Sequence, residues 1–373
     1  MTLPSPPIVG PAALPTRLLA QAHGAAHALR ARGVTAGARI AVLGDGEASA
    51  VLAWLLGADL LGAATLVVEP RWTPRERAAV LEDARPAVVV GGAPEPSSVP
   101  VVPSGRPDTA FYLPTTSGST ARPKVLVRSR DSWLRSFAAL GPVPGPVHIP
   151  GPLSSSLFLF GALHALWCGA GLAPSDVDGG TVHVVPAMLA GLLDRAEHRQ
   201  QTVVCGGAHL GDGLRARFAR VLPGSELVEY YGSAEHSLIA VRRGDRLRPV
   251  PGVELDVRDG ALWVRSPLSF DGYLRAGRVE RAADWTTVGD RVDIDASGGL
   301  TVHGRGAATI ASGGRLVSAE EVEAVLRDVP GVDDVLVTGS PHATYGALVT
   351  AVIQARRPPS LRSLRAAARA GLE

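Results

Sequence analysis

The chain has 373 residues, of which 46% are hydrophobic, 37 are lysine or arginine, and 35 are aspartate or glutamate. This length predicts two domains, or one large domain with a smaller appendage, and the apolar fraction is sufficient for a sizeable core. The net charge of +2, with arginines and acids interspersed, gives no basis for nucleic-acid binding or for attraction to an anionic membrane.

The cysteines and the apolar stretches indicate the compartment. Cys168 and Cys205 lie far apart and show no metal-ligand spacing, a pattern typical of a reduced, cytoplasmic protein. The first 15 residues are rich in proline and lack the charged and apolar regions of a signal peptide. Residues 50–68 are largely apolar but contain Asp59 and glycines, so we expect a buried helix and strand there and no membrane span.

The first 92 residues alternate between helix and strand patterns. The sequence predicts helices at 15–31, 47–62 and 73–85, and strands at 38–44, 63–70 and 86–92. Thr73 is the expected N-cap of the third helix. This alternation, with short glycine or proline turns, predicts an α/β layered fold with a largely parallel sheet.

The alternation continues to about residue 250 and then changes. The sequence predicts helices at 132–141, 155–172, 187–199 and 211–223, and strands at 181–186, 202–207 and 225–233. A β-rich region follows, with a hairpin turn at Asp259-Gly260. Beyond it we expect a helix from Ser318, with Glu321 completing a capping box, then two strands and a last helix. We place the domains at 1–304 and 305–373.

The stretch TTSGSTARPK, residues 115–124, ends in the only lysine of the sequence, Lys124. Its hydroxyls and backbone N–H groups suit a bound phosphate, although such clusters are also common in plain turns. A Walker phosphate loop requires glycine before the lysine and a hydroxyl after it. Here Pro123 and Val125 stand at those positions, which argues against a P-loop NTPase.

TTSGSTARPK resembles the phosphate-binding signature T-S-G-[ST]-T-G-x-P-K of the adenylate-forming superfamily, with Ala121 where glycine is usual. This superfamily includes acyl- and aryl-CoA synthetases, peptide-synthetase adenylation domains and luciferases. Further segments resemble the family in its order: CGGAHL (205–210), YYGSAEHS (230–237), TTVGDRVDIDASGGLTVHGR (286–305) and ATIASGGRLVSAEEVEAVL (308–326). The resemblance covers nearly the whole chain and implies a large N-terminal domain and a small, mobile C-terminal domain.

The resemblance implies a role for each matching residue. It assigns ATP or AMP binding to Thr115, Ser117, Gly118, Ser119, Thr120, Gly206, Gly207, Tyr230, Tyr231, Gly232, Ser233, Asp290 and Arg305. It assigns catalysis to Thr116, Lys124 and Glu235, with Glu235 as the Mg²⁺ ligand. In the family pattern Tyr231 stacks on adenine, and Ala234 replaces a threonine. A carboxylate at Asp290 suits the two ribose hydroxyls, and an oxygen ligand suits Mg²⁺.

The acid pocket and the hinge depart from the family pattern. The segment 151–172 resembles the pocket lining, with Ser155 where a histidine or aromatic residue is common. We expect Ser155, Phe158, Cys205 and His236 to line a pocket for a mainly apolar acid. Ala307 and Ala308 stand in place of the acidic hinge pair, and small residues still permit a hinge.

The implied activity is ATP-dependent formation of an acyl-AMP, followed by thioester formation with CoA. Two alternatives are a protein that loads the phosphopantetheine of an acyl carrier protein, and a degenerate nucleotide-binding protein. The family carries a catalytic lysine near its C-terminus, in a P-x-x-x-x-G-K pattern that this sequence lacks. The terminal Leu372-Glu373 favours truncation over natural loss, and we expect this chain to bind ATP or acyl-AMP but to adenylate slowly.

Overall fold

A computed structural model describes residues 7–116, 123–195, 200–305, 309–312, 315–342 and 346–372. The residues whose predicted roles lie outside this description are Ser117, Gly118, Ser119 and Thr120 of the phosphate loop, and Ala307 and Ala308 of the hinge. Within it, the chain forms four β-sheets with helices packed on them.

The described helices fall in the segments for which the sequence predicts helix. They are α1 (Thr16–Ala31), α2 (Ala48–Leu60), α3 (Pro74–Ala84), α4 (Arg130–Leu140), α5 (Ser156–Trp167), α6 (Pro186–Asp194), α7 (Asp212–Val221), α8 (Ala319–Arg327) and α9 (Leu361–Leu372), preceded by a 3₁₀ turn, Pro11–Ala13. Thr73 caps α3 as predicted: its Oγ1 accepts from the Glu76 N–H at 3.2 Å, and its own N–H donates to Glu76 Oε2 at 2.8 Å. In the described ranges, no helix combines the length and apolarity that crossing a membrane requires.

The strands are short, as is usual for a layered α/β protein. The first thirteen are β1 (Arg39–Leu43), β2 (Ala64–Val68), β3 (Val88–Val90), β4 (Ala110–Tyr112), β5 (Thr115–Thr116), β6 (Lys124–Ser129), β7 (Val147–His148), β8 (Leu172–Ala173), β9 (Thr181–Val184), β10 (Thr202–Cys205), β11 (Glu226–Ser233), β12 (Ser237–Arg242) and β13 (Arg248–Pro249). The others are β14 (Glu254–Arg258), β15 (Ala261–Arg265), β16 (Gly272–Arg275), β17 (Arg278–Arg281), β18 (Asp290–Ile294), β19 (Leu300–Arg305), β20 (Thr309–Ser312), β21 (Arg315–Ser318), β22 (Asp334–His342) and β23 (Gly346–Gln354).

Two large sheets contain the strands β1 to β13 together with β16 and β17. The first has the order β17-β16-β6-β4-β2-β1-β3, with β5 paired to β6, and β1 to β4 of it run parallel where they pair. The second has the order β13-β12-β11-β10-β9-β7-β8, with β7 to β11 parallel. The predicted largely parallel architecture is therefore present, with antiparallel strands added at one side of each sheet.

A layer of helices fills the space between the two large sheets. The main core cluster combines Val42 of β1, Leu55 of α2, Leu163 of α5 and Val228 of β11. Helix α3 covers the outer face of the first sheet, and α6 and α7 cover that of the second. Each large sheet thus buries both faces, which explains why every residue of β2 and β10 is buried.

The antiparallel regions form two further sheets. The third has the order β14-β15-β18-β19, and its first hairpin turns at Asp259-Gly260 with φ values of 51° and 75°, as the dipeptide predicts. The fourth has the order β21-β20-β23-β22, and it shares a separate core with α8 and α9. Since β19 ends at Arg305 and β20 begins at Thr309, the predicted limit between residues 304 and 305 lies at the end of the third sheet.

The sequence did not predict the antiparallel strands β6, β12, β16 and β17. Strand β6 is buried along most of its length and lacks alternation, so its pattern is ambiguous. The hairpin of β16 and β17 completes its side of the sheet by pairing β16 with the distant β6. Such nonlocal pairing has no local sequence signal.

A buried ion pair joins the helical layer to the N-terminal segment. Arg130 on α4 and Asp59 on α2 are 1% and 2% exposed. Arg130 Nε donates to Asp59 Oδ1 at 2.8 Å, and the Ile8 N–H donates to Asp59 Oδ2 at 2.8 Å. The pair explains how the apolar stretch that contains Asp59 tolerates a charge.

We expect Asp59→Ala to destabilise the fold by about 3–5 kcal/mol, because it leaves the Arg130 charge buried and uncompensated. Denaturant unfolding measures the difference. Asp131→Ala is the control, since it breaks an exposed pair with Arg135 and should cost less than about 1 kcal/mol. Equal losses in the two variants would contradict the prediction.

Four of the described histidines are buried: His23, His164, His183 and His236. Burial lowers the pKa of His164 and His236 to about 4 and that of His183 to about 3. These last three are therefore neutral in the folded protein at neutral pH, whereas an unfolded histidine titrates near 6.5.

Between pH 6.5 and about 4 the unfolded chain binds more protons at these histidines than the folded chain. We therefore expect the free energy of unfolding to fall as the pH falls through this window. In His236→Asn the slope should be smaller by about one proton, which unfolding curves at several pH values would measure. An unchanged slope in the variant would show that His236 does not contribute.

Candidate active site

Two cavities meet at the edge of the second sheet, where Gly207, Tyr230 and Gly232 line both. The first, here called the Asp290 cavity, has a volume of about 590 Å³ and extends to β18 and β19. The second, the Glu235 cavity, has about 730 Å³ and extends to β6, α4 and α5. Since β10 and β11 are parallel, their carboxyl ends meet at this edge, which is where α/β sheets bind ligands.

Close backbone packing shapes the Asp290 cavity. A Cβ atom added to Gly206 would lie 2.4 Å from the Tyr230 ring, so this position accepts only glycine. The Tyr231 hydroxyl donates to Asp290 Oδ2, and Asp290 is 7% exposed. Arg305 pairs with Asp290 across β18 and β19 through the backbone, and its side chain lies outside the description. Residues predicted to hold adenine and ribose are thus adjacent.

The turn between β11 and β12 presents Glu235 to its cavity. A Cβ atom on Gly232 would lie 1.8 Å from the Ser237 carbonyl oxygen, so only glycine permits the strands to approach there. The His236 N–H donates to Ser233 Oγ at 3.1 Å and closes the turn. This local geometry explains why glycine and serine precede the carboxylate.

Glu235 and Lys124 lie in the same cavity, together with Thr116. Glu235 is 8% exposed, and its Oε1 accepts from the Tyr273 hydroxyl at 3.2 Å. The Lys124 Nζ lies 5.2 Å from the centroid of the same tyrosine ring. Thr115 and Thr116 pair with Val125 and Lys124 across β5 and β6, which places the start and the end of the predicted phosphate loop side by side.

Tyr273 and Arg128 are residues of this cavity that the sequence analysis missed. Arg128 is 3% exposed, and burial lowers its pKa to about 10 against the opposing attraction of Asp271 and Glu235. A signal was present, because Arg128 interrupts the apolar run VLV of β6. Nothing local in the sequence indicates that Tyr273 reaches Glu235.

Two of the predicted acid-pocket residues on α5 face elsewhere. The Phe158 ring packs on Gly151, where an added Cβ atom would lie 1.9 Å from it, and Ser155 is the N-cap residue of the helix. Neither lines the cavity. The correction follows from helix geometry, because one face of α5 turns Ser156, Leu157 and Phe160 to the cavity instead.

Cys205 and His236 also lie outside the cavity lining. Cys205 packs with Val184 and Leu189 under the outer helices, and burial raises the pKa of its thiol to about 12. The His236 ring nitrogens lie 3.2 Å from Ser233 Oγ and 2.8 Å from Thr286 Oγ1. We therefore correct both predictions: Cys205 is a core residue, and His236 links two loops.

The donor set of the cavity fits a metal ion carried by a phosphate substrate. Among the residues that the structure describes, no three His, Cys, Asp or Glu side chains form a cluster that could hold a metal by themselves. Mg²⁺ in nucleotide sites typically takes one or two carboxylates and completes its shell with phosphate and water. Glu235, nearly buried in the cavity that Lys124 also lines, fits that single-carboxylate role.

Comparisons with known proteins agree with this geometry. An acyl–CoA ligase of Bacillus subtilis (YhfT), described as uncharacterized, is 26% identical over 82% of this chain and 76% of that protein. A putative long chain fatty acid–CoA ligase of Staphylococcus epidermidis (VraA) is 28% identical over 65% of this chain, which spans 60% of that protein. ATP-bound MatB from Rhodopseudomonas palustris matches with a TM-score of 0.79 and 21% identity, over 95% of this chain and 86% of that one.

The structural match confirms the predicted fold class. The family model described as AMP-binding enzyme matches residues 16–101 and 92–274, which is more than half of the chain and includes Lys124 and Glu235. The predicted superfamily is therefore confirmed, and the chain belongs to the AMP-binding enzyme family.

Proposed function

We propose that this chain is an acid–thiol ligase that activates a carboxylic acid with ATP and then forms a thioester, with CoA as the thiol. The observation that carries the proposal is the single cavity that holds Thr116, Lys124 and Glu235 and joins the Asp290 cavity. The names of the relatives, acyl–CoA ligase and long chain fatty acid–CoA ligase, support the class of reaction.

ATP would lie across the meeting point of the two cavities. Adenine would rest on the Gly206-Gly207 backbone and Tyr231, and the ribose hydroxyls would donate to Asp290. The triphosphate would then enter the Glu235 cavity, where Lys124 supplies a cation. The backbone and hydroxyls of residues 115–120 would surround the phosphates, in the manner of other anion-binding loops.

The first half-reaction joins the acid to the α-phosphate. A carboxylate oxygen attacks the α-phosphorus, a new P–O bond forms, and the bond to the bridging oxygen breaks, so that pyrophosphate leaves. Mg²⁺, when bound, neutralises phosphate charge. Glu235 would hold this ion, and Lys124 and Thr116 would orient the phosphates in line with the attacking oxygen.

In the second half-reaction a thiolate attacks the carbonyl carbon of the acyl-AMP and forms a C–S bond. The bond between that carbon and the phosphate oxygen breaks, and AMP leaves. The Ser-Gly-Gly at 312–314 favours CoA over a carrier-protein thiol as the acceptor. A degenerate nucleotide-binding protein fits less well, because Lys124 and Glu235 share one cavity. We also propose a cytoplasmic location and a mobile unit that begins at residue 305 and moves at the hinge residues Ala307 and Ala308.

A pyrophosphate-release screen across carboxylic acids tests the proposal. We expect slow ATP- and acid-dependent release, since the sequence lacks the family's C-terminal lysine, and a further loss of at least about 100-fold in Glu235→Gln and Lys124→Ala, because each removes charge stabilisation of the phosphates. Glu226→Gln, on the exposed start of β11, is the control and should retain activity. Adding CoA or a carrier protein identifies the acceptor. No release with any acid would favour the degenerate alternative.

Tyr273 couples the two charged groups of the site. Its hydroxyl donates to Glu235, its ring lies beneath Lys124, and the Phe270 N–H donates to the Glu235 carbonyl oxygen at 2.7 Å. The segment 270–273 therefore fixes both the backbone and the carboxylate of Glu235. We propose that Tyr273 positions Glu235 for Mg²⁺.

In Tyr273→Phe, the gain in ATP affinity that Mg²⁺ produces should be about 10-fold smaller than in the wild type. The reason is that loss of a group that orients a metal ligand typically costs 10- to 100-fold in affinity. Calorimetry of ATP binding with and without Mg²⁺ measures this without turnover. In a Glu235→Gln background the same substitution should add little, since the two residues act through one bond. Tyr112→Phe, which also removes a buried hydroxyl, is the control. Additive effects would contradict the role.

A further inference from the structure

The Glu235 cavity has an apolar wall formed by Trp133, Leu157, Phe160 and Leu238. The Trp133 and Phe160 ring centroids lie 5.7 Å apart, and behind them Trp133 packs edge-on against Phe137 at 5.8 Å. Packing between aromatic rings makes this wall rigid. It can bury a compact apolar body, and it offers such a body no charged partner of its own.

Arg128 lies at the border between this wall and Glu235. Its guanidinium carbon lies 6.0 Å from the Trp133 ring centroid. Nη2 donates to the Leu268 carbonyl oxygen at 2.7 Å, and Nε donates to Ser132 Oγ at 3.2 Å. Nη1 lies 3.4 Å from the Ala234 carbonyl oxygen, a long contact. The side chain is therefore held in one orientation by three separate segments.

The charge of Arg128 is incompletely compensated. Its burial lowers its pKa to about 10 even though Asp271 and Glu235 act in the opposite direction. Asp271 is itself partly buried, and burial raises its pKa against the attraction of Arg128 and Arg281. An anion that enters the cavity beside Arg128 would offset the cost of burying the guanidinium.

We infer that Arg128 binds the carboxylate of the acid substrate, while the acid's body packs against Trp133 and Phe160. The inference rests on the proposed function and names its substrate class as monocarboxylic acids with a compact apolar body. The carboxylate is then held in the same cavity as Glu235 and Lys124. A guanidinium suits this role because its planar donors match a carboxylate.

Two other roles for Arg128 give different results in an experiment. If the guanidinium binds phosphate, its loss would weaken ATP as much as the acid. If it only ties the Ala234–Glu235 turn to Leu268, its loss would reduce activity with every ligand equally. Only a carboxylate-binding role makes the effect depend on the charge of the acid.

The test compares an acid with its uncharged carboxamide. Benzoate, phenylacetate and hexanoate are screened by ATP-dependent pyrophosphate release, and the most active acid is paired with its amide. Calorimetry then measures the binding of both to the wild-type chain, Arg128→Gln and Arg128→Lys. Arg135→Gln is the control, because Arg135 is an exposed arginine on α4 that lies away from the cavity.

The wild-type chain should bind the carboxylate roughly 10- to 100-fold more tightly than the amide, as expected for a hydrogen bond to a charged group. In Arg128→Gln this ratio should fall to about one, and the acid KM should rise while the ATP KM changes less than about 2-fold. Arg128→Lys keeps the charge and should retain part of the ratio. Arg135→Gln should behave as wild type.

The inference would be overturned if Arg128→Gln still preferred the carboxylate to the amide as strongly as the wild type does. It would also be overturned if the ATP KM rose together with the acid KM. Should Arg128→Gln fail to fold, Arg128→Lys decides: a ratio as large as that of wild type, despite the lost bidentate geometry, would count against a direct contact. If the wild-type chain releases pyrophosphate with none of the acids and binds none of them, the proposed function fails with it. Activity in the wild type combined with an unchanged ratio in the variant rejects only the role of Arg128.

Discussion

The site depends on close contacts that two glycines make at one edge of the second sheet. Gly206 lies against the Tyr230 ring, and Gly232 lies against the Ser237 carbonyl. At both positions a Cβ atom would clash with its neighbour. Because of these contacts, the ends of β10 and β11 leave open space on both sides of Tyr230. The two cavities are the result, and Glu235 reaches its cavity only through the tight turn that Gly232 allows.

Around this edge, most partners of the buried charged side chains are distant in sequence. Arg128 on β6 is held by Ser132, Leu268 and the Ala234 carbonyl, and Glu235 is held by Tyr273 and Phe270. None of these partners is close in sequence to Glu235 except Ala234. The pairing of β16 with β6 brings them together, since it places Tyr273 beside the strand that carries Lys124 and Arg128. The sheet that builds the core thus also orders the charges of the site.

Local features of the sequence predicted local features of the structure. The Thr73 capping box and the Asp259-Gly260 turn appear where the residue types require them, because each depends on interactions within a few residues. The motif spacing also placed Lys124, Glu235 and Asp290 among the site residues, and the structure brings them to two joined cavities. The sequence does not predict strands such as β6 and β16, because they are stabilised by pairing with each other across a long stretch of chain.

The sequence by itself determined the family, the layered α/β plan and the motifs that converge at one sheet edge. Hydrophobic periodicity and motif spacing depend only on the order of residues along the chain, so they can be recognised from the sequence alone. Tertiary structure alone decided which side chains face the cavity: Leu157 and Phe160 rather than Ser155 and Phe158, and Arg128 rather than Cys205 or His236. The physical reason is that the exposure of a helix face or a strand face depends on what packs against it, and those neighbours come from distant parts of the chain.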